Sequence, residues 1–294
     1  MMDDGPASIV ALVTPLNYDH EVDLLALKRI LDLHVASGTE GIVLFGSTGE
    51  GVLLSAKDRQ EIFSYIFEEY HLSIPVWVAC SHPCVSSVLS LIAETREFPI
   101  EGVMVACPMY IKPSQSGLIQ YFSMIADQAH VPVMLYNIPS RTGCSLLPET
   151  VMILAQHNNI SGIKDVEISE ERMHAYHSIV KDFHVYSGDD QQVITCLHNG
   201  GRGIISVSGN IVPKLLKQLC ESNQQGEHHI AYLIEKKLSP LNEILARNNN
   251  PSAIKWLMAE QGWLVNILKP PLSTISLDEQ EGLASVFSSY EEYT

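Results

Sequence analysis

The chain has 294 residues, 46% of them hydrophobic, enough for one barrel-sized domain with a large core. Its 18 basic residues stand against 34 acidic ones, and a formal net charge of −16 argues against a basic nucleic-acid footprint. No apolar run has the length of a membrane span, and the start MMDDGPASIV has neither the basic region nor the apolar segment of a secretory leader.

Six scattered cysteines with no CxxC pair read as reduced, mostly buried thiols, so the expected location is the cytoplasm. Along the chain, short apolar runs alternate with longer amphipathic ones. The first strand is expected at 9–13. A helix follows over 23–37, with Leu24, Leu27, Ile30, Leu31, His34 and Val35 on one stripe. The second strand, 41–45, is followed by Ser55 and Asp58, a capping signal for a helix running through 59–70. Further strands fall at 76–80, 102–106, 133–136, 161–164, 184–186 and 203–207, and Ser114 and Ser169 open intervening helices. Several strands are apolar at every position, as in a parallel sheet covered by helices. Eight such units predict an α/β (β/α)8 TIM barrel, with an open doubly wound sheet as the alternative. Beyond Gly209 the pattern is all-helical, over 212–222, 228–246, 251–260 and 277–289. The expected organisation is a barrel over 1–224 carrying the active site. A C-terminal helical extension, 225–294, packs on it and is not an independent domain.

Barrel enzymes place their chemistry at the carboxyl ends of the strands. Strand 2 ends in Gly46-Ser47-Thr48-Gly49-Glu50, strand 4 in Cys107-Pro108-Met109-Tyr110, and strand 5 in Tyr136 through Gly143, which includes Arg141. Strand 6 ends in Lys164-Asp165, strand 7 in Ser187-Gly188-Asp189-Asp190, and strand 8 in 206–210. An amine in an apolar barrel mouth is disfavoured in its charged form, and a neutral amine attacks carbonyls to form a Schiff base. Tyrosines and hydroxyls can relay protons, and an arginine can hold a carboxylate. Together these groups suit carbanion chemistry on a 2-oxo acid. Each also has a plainer reading. Lys164 could end a strand in solvent, Ser47-Thr48 could cap a helix, and Tyr110 and Tyr136 could be core aromatics. Arg141 could sit in a surface ion pair, and Asp189-Asp190 could cap the next helix. The helix with Glu171, His174 and His177 lies on the barrel exterior and is not read as a metal site.

The segments GSTGEGVLLS (46–55), CPMYIKPSQSG (107–117), YNIPSRTG (136–143) and GIKD (162–165), in this order and spacing, resemble the dihydrodipicolinate synthase / N-acetylneuraminate lyase family. The resemblance implies a (β/α)8 barrel with a helical extension, a homotetramer or homodimer, and a pyruvate Schiff base on Lys164 with no metal or organic cofactor. It makes Tyr136 the acid/base over that imine, Ser47 and Tyr110 its proton relay, and Thr48 with Ser47 the pyruvate carboxylate site. Tyr110 would reach across a subunit interface. Arg141 would receive the carboxylate of aspartate semialdehyde, and Gly188 and Ile205 would line the pocket. The loop SRTG (140–143) looks like the synthase version, which condenses pyruvate with L-aspartate 4-semialdehyde to 4-hydroxy-tetrahydrodipicolinate on the diaminopimelate and lysine pathway. Ser47 is also what sialate lyases carry, so an N-acetylneuraminate or 2-oxo-3-deoxy sugar acid lyase is the alternative; a non-catalytic metabolite-binding barrel is a third. Two departures stand out. Val166-Glu167 replaces the small residues usual after the lysine, and CSHPC (80–84) replaces a Gly- and Asn-containing stretch. The positions matching a lysine-effector site, Ala56, Cys84, Val88 and Met109, imply weak or absent feedback by L-lysine.

Overall fold

The structure, a computed structural model, describes residues 7–179 and 182–290; residues 1–6 of the start read for a leader lie outside them. Eight parallel strands close into a barrel in chain order, so the open doubly wound alternative falls. They are β1 Ala7–Ala11, β2 Gly41–Leu44, β3 Val76–Ala79, β4 Gly102–Ala106, β5 Val133–Asn137, β6 Ile160–Asp165, β7 His184–Ser187 and β8 Gly203–Ser206. Every residue of β2, β4, β5 and β8 is buried, the reason these strands read as unbroken apolar runs.

Between the strands lie α1 Leu24–Ser37, α2 Ala56–Ser64, α3 Val85–Ala93, α4 Gln115–Ala126, α5 Pro139–Thr142, α6 Pro148–Leu154, α7 Glu170–Tyr176 and α8 Val193–His198. The helical tail follows as α9 Pro213–Gln224, α10 His228–Arg247, α11 Ser252–Glu260 and α12 Leu277–Phe287. Side chains close the orphan amides where the sequence placed them. Ser55 and Asp58 form a reciprocal capping box on α2, and Ser114 and Ser169 accept from Gly117 and Arg172 at the starts of α4 and α7.

Two local expectations are corrected. In α1 the buried stripe runs through Ala26, Leu27, Ile30, Leu31 and His34, while Val35 is 44% exposed. Val35 sits one residue, hence about 100°, past His34 and so turns off the core face. The segment 59–70 is not one α-helix either. After Ser64 it widens into a π-helical stretch, Tyr65–Glu69, and the Tyr70 amide bonds back to the Tyr65 carbonyl at 2.8 Å.

The chain divides into two compact units. Among the described residues, the first holds 76–205, with β3 to β7, β8 up to Ile205, and α3 to α8. The second joins 7–75 to 206–290, so that the tail belongs with the first two strand–helix units; there α9 packs on β1, and α10 packs on α9 and α12. Among the described residues no helix is long and apolar enough to cross a membrane.

Candidate active site

In the first unit, β6 carries Lys164 to the barrel's carboxyl end. Parallel register sets it beside Tyr136 of β5 and Tyr186 of β7. Lys164 is 3% exposed, so it does not end the strand in solvent. Its Nζ lies 4.6 Å from the centroid of the Tyr136 ring, itself buried, and among the described residues it makes no ion pair. Gly188, just beyond β7, leaves room for the lysine stem. A Cβ there would stand 3.1 Å from Lys164 Cε and 2.8 Å from Val166 Cγ1, so the absent side chain is a packing requirement. Ile205 on β8 is fully buried. Burial pushes the thiol of the neighbouring Cys107 well above its ordinary range, with Cys144 and Asp165 adding to the effect, so it is no nucleophile.

Directly after the lysine, Asp165 is wholly buried and saturated with donors. Arg172 grips it through Nε at 3.0 Å and Nη2 at 2.8 Å, Tyr176 donates at 2.7 Å, Asn137 Nδ2 at 2.8 Å, and the Glu167 amide at 2.9 Å. Arg172 and Tyr176 lie four residues apart on α7 and so share one face. Burial works against the Arg172 charge, but Asp165, Tyr176 and Glu167 together outweigh it and hold the guanidinium above its ordinary range. Burial likewise pushes the Tyr176 phenol up, so it stays a donor. The strand end that presents Lys164 is thus clamped from its outer side. Sequence reading missed this network. The signal available was the Asp-x6-Arg-x3-Tyr spacing across a strand end and the helix after it.

Arg141 sits exposed on α5, which Gly143 ends in the left-handed conformation at φ 75°. Tyr110 is 91% exposed, which removes the core-aromatic reading for it. Its amide donates to the Thr142 carbonyl at 3.2 Å, joining the loops after β4 and β5. Asp189 caps the turn behind β7 by accepting from the Gln191 amide, as the plainer reading had it.

The second unit carries the hydroxyl turn. Between Phe45 and Glu50, both left-handed at φ 59° and 56°, the chain turns through Gly46–Gly49. Such backbone costs of order 1–3 kcal/mol per non-glycine residue and persists where surroundings fix it. Here Glu50 is fixed by its own carboxylate, which takes Lys255 Nζ at 2.5 Å and the Lys269 amide at 2.7 Å, with both charged side chains fully buried. Ser47 is half-buried; Thr48 is buried and its Oγ1 accepts from Asn250 Nδ2 at 3.0 Å. Since α2 is capped by Ser55, the pair 47–48 is not a helix cap. Lys255, which sequence reading passed over, was marked by its place inside the apolar run Ala253–Met258. Of the four effector-matched positions, Ala56 and Cys84 are exposed, Met109 is half-buried and Val88 is buried.

The sequence profile described as the dihydrodipicolinate synthetase family matches residues 6–289. A 4-hydroxy-tetrahydrodipicolinate synthase of Teredinibacter turnerae is 36% identical over 270 residues, covering 92% of this chain and 93% of that one. The solved dihydrodipicolinate synthase of Aquifex aeolicus superimposes with a TM-score of 0.93 at 29% identity, covering 98% of this chain and 99% of the other. A structure described as a monomeric dihydrodipicolinate synthase variant superimposes at 0.92 with 30% identity, covering 97% and 96%.

Proposed function

The chain belongs to the dihydrodipicolinate synthetase family, and from that premise we propose that it condenses pyruvate with L-aspartate 4-semialdehyde to 4-hydroxy-tetrahydrodipicolinate, as a lyase-class enzyme of the diaminopimelate and lysine pathway. The observation that carries the reading is one buried amine, Lys164, lying over the ring of Tyr136 with no carboxylate among the described residues committed to it.

Lys164 Nζ adds to C2 of pyruvate, and loss of water leaves an imine. A proton leaves C3 to give the enamine, whose carbon attacks the aldehyde of the second substrate. Tyr136 moves protons at these steps, relayed by Ser47 and Tyr110. The hydroxyls of Ser47 and Thr48 take the pyruvate carboxylate, and Arg141 takes the carboxylate of aspartate semialdehyde. The amine of that substrate then displaces Lys164 by transimination, which closes the ring and frees the lysine. Every bond change uses the two substrates and protein side chains, so the proposed sequence calls on no metal or organic cofactor. Gly188 and Ile205 shape the wall around the lysine stem. The 225–294 extension serves the same reaction by holding Thr48 through Asn250 and Glu50 through Lys255.

The exposure of Tyr110 supports its delivery into a neighbouring protomer's site, in a homotetramer or homodimer. We place the reaction in the cytoplasm, where both substrates would arise. The test is borohydride trapping with pyruvate followed by peptide mass mapping, alongside a steady-state condensation assay. The expected adduct maps to the peptide bearing Lys164, and condensation exceeds pyruvate release from sialate or 2-oxo-3-deoxy sugar acids. An adduct elsewhere, or faster cleavage of a sugar acid, overturns the reading.

A further inference from the structure

The pair Val166-Glu167 departs from the small residues that the family resemblance leads one to expect, and the proposed chemistry gives Glu167 no task. Its surroundings do. The Ser145 hydroxyl donates to Glu167 Oε2 at 2.5 Å. Asn137 spends both amide hydrogens on carboxylates, one on Asp165 at 2.8 Å and one on Glu167 Oε2 at 3.1 Å, while its Oδ1 accepts from the Leu146 amide at 3.0 Å. Arg172 donates to the Leu146 carbonyl at 2.8 Å and stands 3.9 Å from the Glu167 carboxylate. The stem of Glu167 is itself fixed, because its amide donates to Asp165.

These contacts bracket the loop that bears Arg141. At its start, the amides of Arg141 and Thr142 both bond to the Ile138 carbonyl, so the turn is set by its own backbone. At its end, Ser145 and Leu146 are held from outside, by Glu167, Asn137 and Arg172. A small residue at 167 has no atom that reaches the Ser145 hydroxyl, so this fastening belongs to the glutamate. We infer that Glu167 is a positioning residue for Arg141: by fastening the 145–146 end of the loop it sets where the acceptor substrate's carboxylate is received. The inference rests on the function proposed above and concerns the second substrate alone, since among the described residues Glu167 makes no hydrogen bond or ion pair with Lys164 or Tyr136.

Two variants test it. Glu167→Ala removes the fastening, and Glu167→Gln keeps an acceptor oxygen for Ser145. In Glu167→Ala the KM for aspartate semialdehyde rises about tenfold, while the KM for pyruvate and the rate of borohydride trapping with pyruvate stay within about twofold. Trypsin cleavage after Arg141 in the native protein quickens by about tenfold, and Glu167→Gln restores most of both effects. Equal shifts in the two KM values, or a cleavage rate unchanged by Glu167→Ala, overturn the inference. If the parent protein does not condense the two substrates, the functional reading falls instead, and the cleavage rates still decide whether Glu167 fastens the loop.

Discussion

Among the described residues two lysines are buried, and their settings are opposite. Lys255, in the second unit, is fully buried against the Glu50 carboxylate at 2.5 Å. Burial lowers its pKa and Glu50 only partly opposes that shift, so it is the short contact itself that makes the pair a strut beneath the hydroxyl turn. Lys164, in the first unit, is also buried, yet among the described residues it has an aromatic ring beside it and no ion pair. The nearest acid in sequence, Asp165, is spoken for by Arg172, Tyr176 and Asn137. Burial alone therefore does not mark a nucleophile. What separates the two amines is whether a carboxylate has been assigned to them, and the fold assigns one to Lys255 while steering the adjacent one away from Lys164.

The largest effect is expected from removing the unassigned amine. Lys164→Ala loses the trapped pyruvate adduct, and condensation falls by on the order of 10⁴-fold or more, because the covalent route is gone. Stability in urea should change far less. If an adduct persists and maps to Lys255, the contrast between the two lysines is broken.

Removing the assigned amine should do the reverse. Lys255→Met leaves the Glu50 carboxylate buried without its partner, which costs about 3–5 kcal/mol of stability, read as a lowered urea midpoint at unchanged slope. The double variant Glu50→Gln, Lys255→Met recovers a large part, since no charge is then stranded. Pyruvate trapping by the folded fraction of Lys255→Met still maps to Lys164. A loss under about 1 kcal/mol in the single variant would make the strut dispensable and leave the turn to the Asn250–Thr48 bond.

The barrel was legible because parallel strands covered on both sides must be apolar at every position, and because Ser55, Ser114 and Ser169 announce their helices. The strand-end rule collected Lys164, Tyr136, Tyr110 and Arg141 before any geometry was known. What the sequence hid was pairing. Asp165 reads as one more strand-end acid; its partners Arg172 and Tyr176 become visible only when α7 returns against β6. Glu50 and Lys255 lie 205 residues apart, and no local period connects them. Val35 shows the opposite error, a residue assigned to a stripe by its type when the 100° helical step had already carried it past the core.

A third buried base sharpens the same rule at smaller scale. His34 on α1 is fully buried, its Nδ1 lies 3.0 Å from the Thr39 hydroxyl, and its Nε2 has no partner. Among the described residues no carboxylate is assigned to it, and burial lowers its pKa to about 4. The folded value lies below the ordinary histidine value, so the unfolded chain binds the proton more readily between pH 4 and 6.5. The stabilisation from keeping His34 neutral is therefore complete above about pH 6.5 and is lost as the pH falls toward 4. It amounts to about 2 kcal/mol of lost stability at pH 5. Replacing the ring with a side chain that does not titrate, His34→Gln, should flatten this part of the profile. Urea unfolding at pH 8 and pH 5 checks it: the stability difference between the two pH values should be about 2 kcal/mol smaller in the variant than in the parent. An equal difference in both would mean that His34 accepts its proton inside the fold, and that a buried base without an anion is not held neutral here.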